Sequence, residues 1–382
     1  MSFKHNNIMT KGLVLLSLLL GGVGQALAEY NLNFQEPVNE VGREIYDLHM
    51  LVFWICVVIG IGVFGMMIYS IIVHRKSKGA VSSDFHESAK VEVVWTIVPF
   101  IILIAVAIPA TSTLIKIEDT SDADLTIKVT ALQWKWKYDY GNGVSFISSL
   151  HPDHNKARKR NSGIDVTKID NYLLEVDNQL VIPTNKKVRF LLTSDDVIHA
   201  FWVPQFAMKK DAIPGYVNET WTTVEKEGVY RGQCAELCGQ DHAFMPIVVE
   251  AKNDSDFNVW MDKQKASAAA AAAEAASDKI WSEADLMARG EAIYKGKGGC
   301  FGCHGANGEG VAIFPKLAGS AIANGPADKH IDVVVNGVPG SAMAAYSGQL
   351  NDLEMAAVIT YERKSWGNNA SIVQPADIKA AR

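Results

Sequence analysis

The chain has no surplus of positive charge. Its 36 Lys and Arg are outnumbered by 42 Asp and Glu, giving a formal charge of −6, which argues against nucleic acid as a partner, because that binding rests on neutralised phosphates. It has no internal repeats, so it is neither a solenoid nor a propeller. Cysteine is scarce, five in 382 residues, and four of the five fall in two short clusters. The length is enough for two or three domains. The hydrophobic share of 48% is ordinary for a soluble protein, but it is unevenly spread, with three apolar blocks before residue 118.

The first block has the marks of an export signal. Lys4, His5 and Lys11 precede Leu13 to Leu20, and Ala26-Leu27-Ala28 follows. A basic start, a short apolar run and small residues before a cut predict cleavage after Ala28. The other two blocks, about 48–73 and 93–115, lack charge over a length close to the about 20 residues that cross a bilayer as a helix. The rival reading, a buried hairpin of a soluble protein, is at odds with blocks this long and uncharged. Pro99 and Pro109 are tolerable in such a helix. His74, Arg75, Lys76, Lys78 and Lys90 lie between the spans, whereas Glu36, Glu40, Glu44, Asp47, Glu118, Asp119, Asp122 and Asp124 flank them outside. Positive charge stays in the cytoplasm, so the loop at 74–92 faces inward and everything after about residue 118 faces outward.

From Leu125 to Ala251 short β-rich runs alternate with Pro and Gly turns, which predicts a β-sandwich or barrel. The polar stretch 141–170 reads as a long loop. Its basic run, Lys156 to Arg160, is either a docking patch or a solvated loop face. Residues 265–278 lack an apolar face to bury and read as a helical or flexible spacer. A new pattern runs from Trp281 to about Trp366.

Two motifs carry chemistry. Cys234-Ala-Glu-Leu-Cys238-Gly-Gln-Asp-His242-Ala-Phe-Met245 places two thiols, an imidazole and a thioether within twelve residues. Thiolate and thioether are soft ligands, and the combination favours copper. A zinc site has no use for the Met, and a blue-copper site needs one Cys rather than two, so the second Cys points to thiolates that bridge metal ions. The rival reading is a Cys234–Cys238 disulfide. Cys300-Phe-Gly-Cys303-His304 is the Cys-x-x-Cys-His pattern of covalent haem c attachment, in which two thiols add to the haem vinyls and the His ligates iron. The sixth ligand is expected further on, and Met343, in a loop of small residues, is preferred to Met355, which falls inside an apolar helix, and to Met287. Phe314 to Gly319 is expected to pack on the haem edge. Cys56, inside the first span, reads as a packing residue.

Together with Gln133-Trp134-Lys-Trp136-Lys-Tyr138-Asp-Tyr140, Asp196-Val-Ile-His199 and Lys210-Asp-Ala-Ile-Pro-Gly215, these motifs stand in an order that resembles subunit II of the haem–copper cytochrome c oxidases, in the form with a fused C-terminal cytochrome c. The resemblance covers nearly all of the chain after residue 28. It implies a multidomain membrane protein: an export signal at 1–28, a two-helix transmembrane hairpin at 29–118, an all-β cupredoxin-like sandwich at 119–262, an Ala-rich linker at 263–280, an all-α cytochrome c domain at 281–368 and a tail at 369–382.

By the same resemblance a dinuclear copper A centre is held by His199, Cys234, Cys238, His242 and Met245, with the Glu236 carbonyl as a further ligand. The Glu236 carboxylate is implied to reach a magnesium ion shared with subunit I. From the residues alone His199 reads equally as a buried strand histidine. Trp134 is the implied point of electron uptake, with core packing or an interfacial aromatic belt as the plainer reading of Trp134, Trp136, Tyr138 and Tyr140. Glu92 matches an acid at the mouth of a proton channel, or simply anchors the helix end. The expected partners are oxidase subunits I and III, a cytochrome c or other periplasmic electron donor, and membrane lipid. The expected place is a bacterial inner membrane, crossed twice, with both redox domains outside. A free-standing electron-transfer module and a quinol oxidase subunit are the rivals; the intact ligand set speaks against the second.

Overall fold

The structure is a computed structural model and describes residues 33–382 apart from Ser83, Phe85, Ala276, Asp278 and Ala312. The expected export segment and its cut after Ala28 lie outside the described residues.

Two long helices come first, α1 (Glu40–Val73) and α2 (Ala89–Glu118). Their most apolar windows have mean hydropathies of 2.7 and 2.6 and are unburied. A helix apolar on every side and uncovered by protein needs lipid or another apolar surface around it. Helix α2 runs unbroken through Pro99 and Pro109. Both helices reach beyond the uncharged runs because their outer ends are tied to the domain that follows. Asn39 caps α1, accepting from Gly42 N at 2.6 Å, while its amide donates to Phe206 O and Thr222 Oγ1 at 2.9 Å. Lys116 of α2 pairs with Glu40 and Glu44 of α1 at 2.6 Å. Trp221 Nε1 donates to Ile117 O at 3.0 Å.

The middle of the chain forms two five-stranded sheets. The strands are β1 (Leu125–Leu132), β2 (Lys135–Asp139), β3 (Ser145–Ser148), β4 (Leu180–Pro183), β5 (Val188–Ser194), β6 (His199–Val203), β7 (Met208–Ala212), β8 (Asn218–Thr222), β9 (Gly228–Cys234) and β10 (Pro246–Lys252). One sheet has the order β3-β2-β1-β5-β8 and the other β4-β10-β9-β6-β7. Strand alternation explains the sandwich: Ile127 and Val129 of β1 are sealed while Lys128 faces out, and β5 alternates throughout. Between the sheets Trp136 meets Phe201 edge-on at 5.3 Å, and each such buried side chain contributes about 1.5–3 kcal/mol. The stretch 141–170 is more ordered than its polarity predicts. It supplies β3, which pairs with β2 because Phe146 can pack on Tyr138 and Tyr140, and a short helix α3 (Pro152–Ala157).

The Ala-rich stretch belongs to one helix, α4 (Asp254–Ala275). Its first turns bury Met261 and lay Phe257 and Trp260 on the sandwich, and the Ala run continues from that anchored end. The C-terminal part is all helical: α5 (Glu283–Lys295), α6 (Phe301–His304), α7 (Ala321–Asn324), α8 (Ala327–Asn336), α9 (Asp352–Lys364) and α10 (Pro375–Ala381). Helix α5 crosses α9 at Gly290, where a side chain would overlap the Ala357 carbonyl oxygen. The reading of 369–382 as a tail needs correction. Val373 and Ile378 are fully buried, and Thr360 Oγ1 of α9 both donates to Val373 O and accepts from Val373 N. Val373 and Ile378, with Ile372 packed beside Trp281 and Leu353, suffice to close α10 onto the open flank of α9.

Candidate redox centres

Strand β9 ends at Cys234 and β6 begins at His199 beside it, so the sheet itself brings the histidine to the loop. The loop then turns back through Cys238 and one helical turn at His242–Phe244 to Met245, immediately before β10. Cys234 Sγ lies 3.9 Å from His199 Nδ1 and 3.8 Å from Cys238 Sγ. Cys238 Sγ lies 3.6 Å from both His242 Nδ1 and Met245 Sδ. Cys234 Sγ also faces the Glu236 carbonyl at 3.3 Å. The two sulfurs are unbonded, far beyond the roughly 2 Å of a disulfide, and His199, Cys234 and Cys238 offer ligand atoms all within 4.8 Å of one another. The donor set of two thiols, two imidazoles, a thioether and a carbonyl fits soft metal ions, copper above all.

The surroundings orient the donors. His199 Nε2 donates to Asp196 Oδ1 at 2.9 Å; a carboxylate can only accept, so in the neutral ring Nδ1 keeps the lone pair and faces the sulfurs. Burial alone would raise Asp196, but hydrogen bonds from His199 and from the Gln133 and Val197 amides outweigh it and lower its pKa. The Cys238 thiol donates to Cys234, which holds Cys234 well below the usual thiol value and raises Cys238. Trp134 Nε1 and Gln133 Nε2 donate to Cys238 O at 3.2 and 2.8 Å, and Trp136 Nε1 donates to Met245 O at 3.2 Å. Gly239 is needed here. Its φ of 114° lies in the region that favours glycine, and a Cβ would come within 3.0 Å of Gln133 Nε2 and 3.2 Å of the Trp134 ring. Arg158 pairs with Asp241 at 2.7 Å and lies 4.1 Å over the Phe244 ring, pinning the far side of the loop.

The second centre is built on α6. Cys300, Cys303 and His304 sit on one helical turn, and burial raises both thiols. His304 Nδ1 lies 2.8 Å from Pro315 O. A carbonyl only accepts, so Nδ1 carries the proton and Nε2 is left with the lone pair, the state a haem iron requires. Met343 is half-buried against the same apolar cluster as Cys300 and Phe301, whereas Met355 is sealed at 0% exposure. Tyr294 OH donates to Gly305 O at 2.7 Å, fixing the residue after His304.

Trp136, Tyr138 and Tyr140 are core residues rather than a membrane belt, while Trp134 is half-buried above the loop from Cys234 to Met245. Glu236 lies exposed on that loop, Glu92 exposed in the first turn of α2, and Cys56 exposed on α1. The sequence pattern marks Gln133 and Asp196 only as members of motifs, and Arg158 only as part of a basic run, without the contacts described above. Only Asp196 carries a local signal, three residues before His199.

The site and fold together define a membrane-anchored protein with a copper-type sandwich and an appended cytochrome. Residues 125–252 match the family model described as cytochrome c oxidase subunit II, periplasmic domain, and 26–112 match the transmembrane domain of that subunit. Residues 285–361 match the model described as cytochrome c oxidase, cbb3-type, subunit III. A probable cytochrome c oxidase subunit 2 of Rickettsia bellii is 38% identical over 68% of this chain and 93% of its own length. The cytochrome c oxidase subunit 2 of Arabidopsis thaliana is 34% identical over 63% and 91%. The crystal structure of the periplasmic domain of cytochrome oxidase subunit II of Bradyrhizobium japonicum is 43% identical, covers 39% of this chain and 98% of that chain, and superposes with a TM-score of 0.34. The chain belongs to the cytochrome c oxidase subunit II family, with a cytochrome domain added at its C-terminal end, and is a membrane protein of a haem–copper oxidase complex.

Proposed function

We propose that the chain receives electrons at a haem held by Cys300, Cys303 and His304, with Met343 as sixth ligand. It passes them to a dinuclear copper A pair held by His199, Cys234, Glu236 O, Cys238, His242 and Met245, and on to the oxygen-reducing centre of subunit I. Copper and haem supply the one-electron chemistry when bound. The chain's part is to hold soft donors in a rigid loop, to fix the His199 and His304 tautomers through Asp196 and Pro315, and to keep Trp134 against the Cys238 carbonyl at the point of electron uptake. The reading rests above all on one observation: six donor groups from β6, β9 and one loop converge around Cys234 and Cys238.

The thioether attachment of the haem belongs to the same proposal, as does a magnesium ion at the Glu236 carboxylate shared with subunit I. So do docking to subunits I and III, an external cytochrome c or other periplasmic donor, and a bacterial inner membrane with the loop 74–92 inside and both redox domains outside. Metal and haem analysis of the full chain in its complex tests the core of it. Two coppers sharing one unpaired electron and one haem that resists acid–organic extraction are expected, and Met343→Ala should shift the haem spectrum. The acid-resistant haem without the shared two-copper signal would overturn the copper assignment. Glu92 is exposed where α2 begins, and we place it at the mouth of the proton path. Glu92→Gln should then slow turnover severalfold while haem reduction by the donor is unchanged, and an equal turnover rate would leave Glu92 a helix anchor.

A further inference from the structure

The two redox centres do not merely share a chain; the segment that carries the haem cysteines is gripped by lysines of the copper domain. Lys135, the residue after Trp134, is buried to 5% exposure. Its ammonium donates to Gly298 O at 3.0 Å and Lys297 O at 3.3 Å and stands 5.1 Å from the Tyr346 ring centre. Tyr346 OH donates to the same Gly298 O at 3.0 Å, so strand β2, the residues before Cys300 and the loop after Met343 meet around one nitrogen. Two further lysines flank it: Lys137 Nζ donates to Gly348 O at 2.8 Å, and Lys159 Nζ lies 5.6 Å from the Phe301 ring centre. The basic run at 156–160 is therefore partly an internal contact rather than a solvated face, with Arg158 holding the copper loop and Lys159 touching the haem-attachment turn.

We propose that Lys135 is the positioning residue for electron transfer within the chain: a buried amine that latches the haem-attachment segment onto the copper domain beside Trp134. The inference rests on the electron path proposed above. The α4 tether alone gives an effective concentration of about millimolar, which keeps the cytochrome domain near but does not orient it. Orientation needs a directional contact. Lys135 supplies two N–H donors to two backbone carbonyls at a point one residue from Trp134, whose indole already bonds the carbonyl of Cys238. Burial lowers the Lys135 pKa to about 8, yet the contact survives loss of the proton, because a neutral amine still carries two N–H donors.

The test uses the full chain in its complex. Lys135→Glu places acceptors against acceptors and should open the junction. Amide hydrogen exchange over 296–303 is expected to quicken about tenfold or more. Flash-induced electron transfer from haem to copper should slow by a similar factor and become viscosity-dependent, with copper content, haem content and both spectra unchanged. Lys135→Arg, which keeps the donors, should restore most of the rate. If Lys135→Glu fails to assemble, Lys135→Met keeps the stem and is read in its place, with an expected slowing of about fivefold. Unchanged exchange and unchanged transfer in the assembled variant would overturn the latch. If the unsubstituted protein passes no electrons from haem to copper, the proposed function falls, and the hydrogen-exchange readout still decides the role of Lys135.

Discussion

In a Cys238→Ser protein the copper signals are expected to disappear while the haem remains attached. Cys238 is the hub of the donor set. Its sulfur faces Cys234 at 3.8 Å, His242 at 3.6 Å and Met245 at 3.6 Å, so it is the one atom whose loss separates His242 and Met245 from the rest. A serine hydroxyl is close in shape but hard, and it does not ionise near neutral pH, so it is a poor bridge between soft metal ions. Loss of a ligand-orienting partner alone typically costs about 10–100-fold in metal affinity; loss of Cys238, if it is the ligand proposed above, should exceed about 100-fold. The fold should survive. Gln133, Trp134 and Trp136 bond backbone carbonyls of the loop, and these contacts do not depend on the sulfur. The removed S–H contact is worth about 1 kcal/mol of stability. Optical and paramagnetic resonance spectra with a copper assay, read beside the haem band, check the expectation. Retained copper spectra would remove Cys238 from the ligand set.

Much of this was legible in the residues because the chemistry is local. Cys234, Cys238, His242 and Met245 lie on one loop, and Cys300, Cys303 and His304 on one turn, so spacing alone marks both sites. The two spans are visible because lipid demands uninterrupted apolar length. His199 was not separable from a buried strand histidine by sequence pattern; what selects it is the pairing of β6 with β9, a contact across thirty-five residues. The Arg158–Asp241 pair and the Lys135 contact with Gly298 span 83 and 163 residues. No periodicity encodes such pairs, and a basic residue in a polar run looks the same whether solvated or clamped. The closing helix α10 was hidden for a related reason: Ile372, Val373 and Ile378 are too few and too unevenly spaced to make an amphipathic pattern, and only the uncovered side of α9 gives them a place to be buried.

A wedge at Gly290 should damage the cytochrome domain and spare the copper domain. Gly290 lies where α5 crosses α9. A Cβ there would overlap the Ala357 carbonyl oxygen and stand 2.8 Å from the Ala357 carbonyl carbon and 2.6 Å from Tyr361 Cβ. Two of these three atoms are backbone of a helix and cannot step aside singly, so α9 as a whole must move. Replacing a mid-helix glycine ordinarily gains up to about 1 kcal/mol from helix propensity. Overpacking a tight contact costs about 1–3 kcal/mol and more where backbone must shift. For Gly290→Val the clash wins, with a net loss of about 3 kcal/mol, or roughly 10–20 °C in the melting temperature of a domain this size. The damage should reach the haem site, because Tyr294 on the same helix packs at a tilt against Tyr361 and Trp366, with ring centres 5.5 and 5.0 Å away, and bonds Gly305 O beside His304. The sandwich has its own core around Trp136 and Phe201, so the copper band should melt as before. Thermal melts of the full chain followed separately at the haem and copper absorptions check this. A haem-domain melt unmoved by the substitution would mean that α5 and α9 do not cross at Gly290.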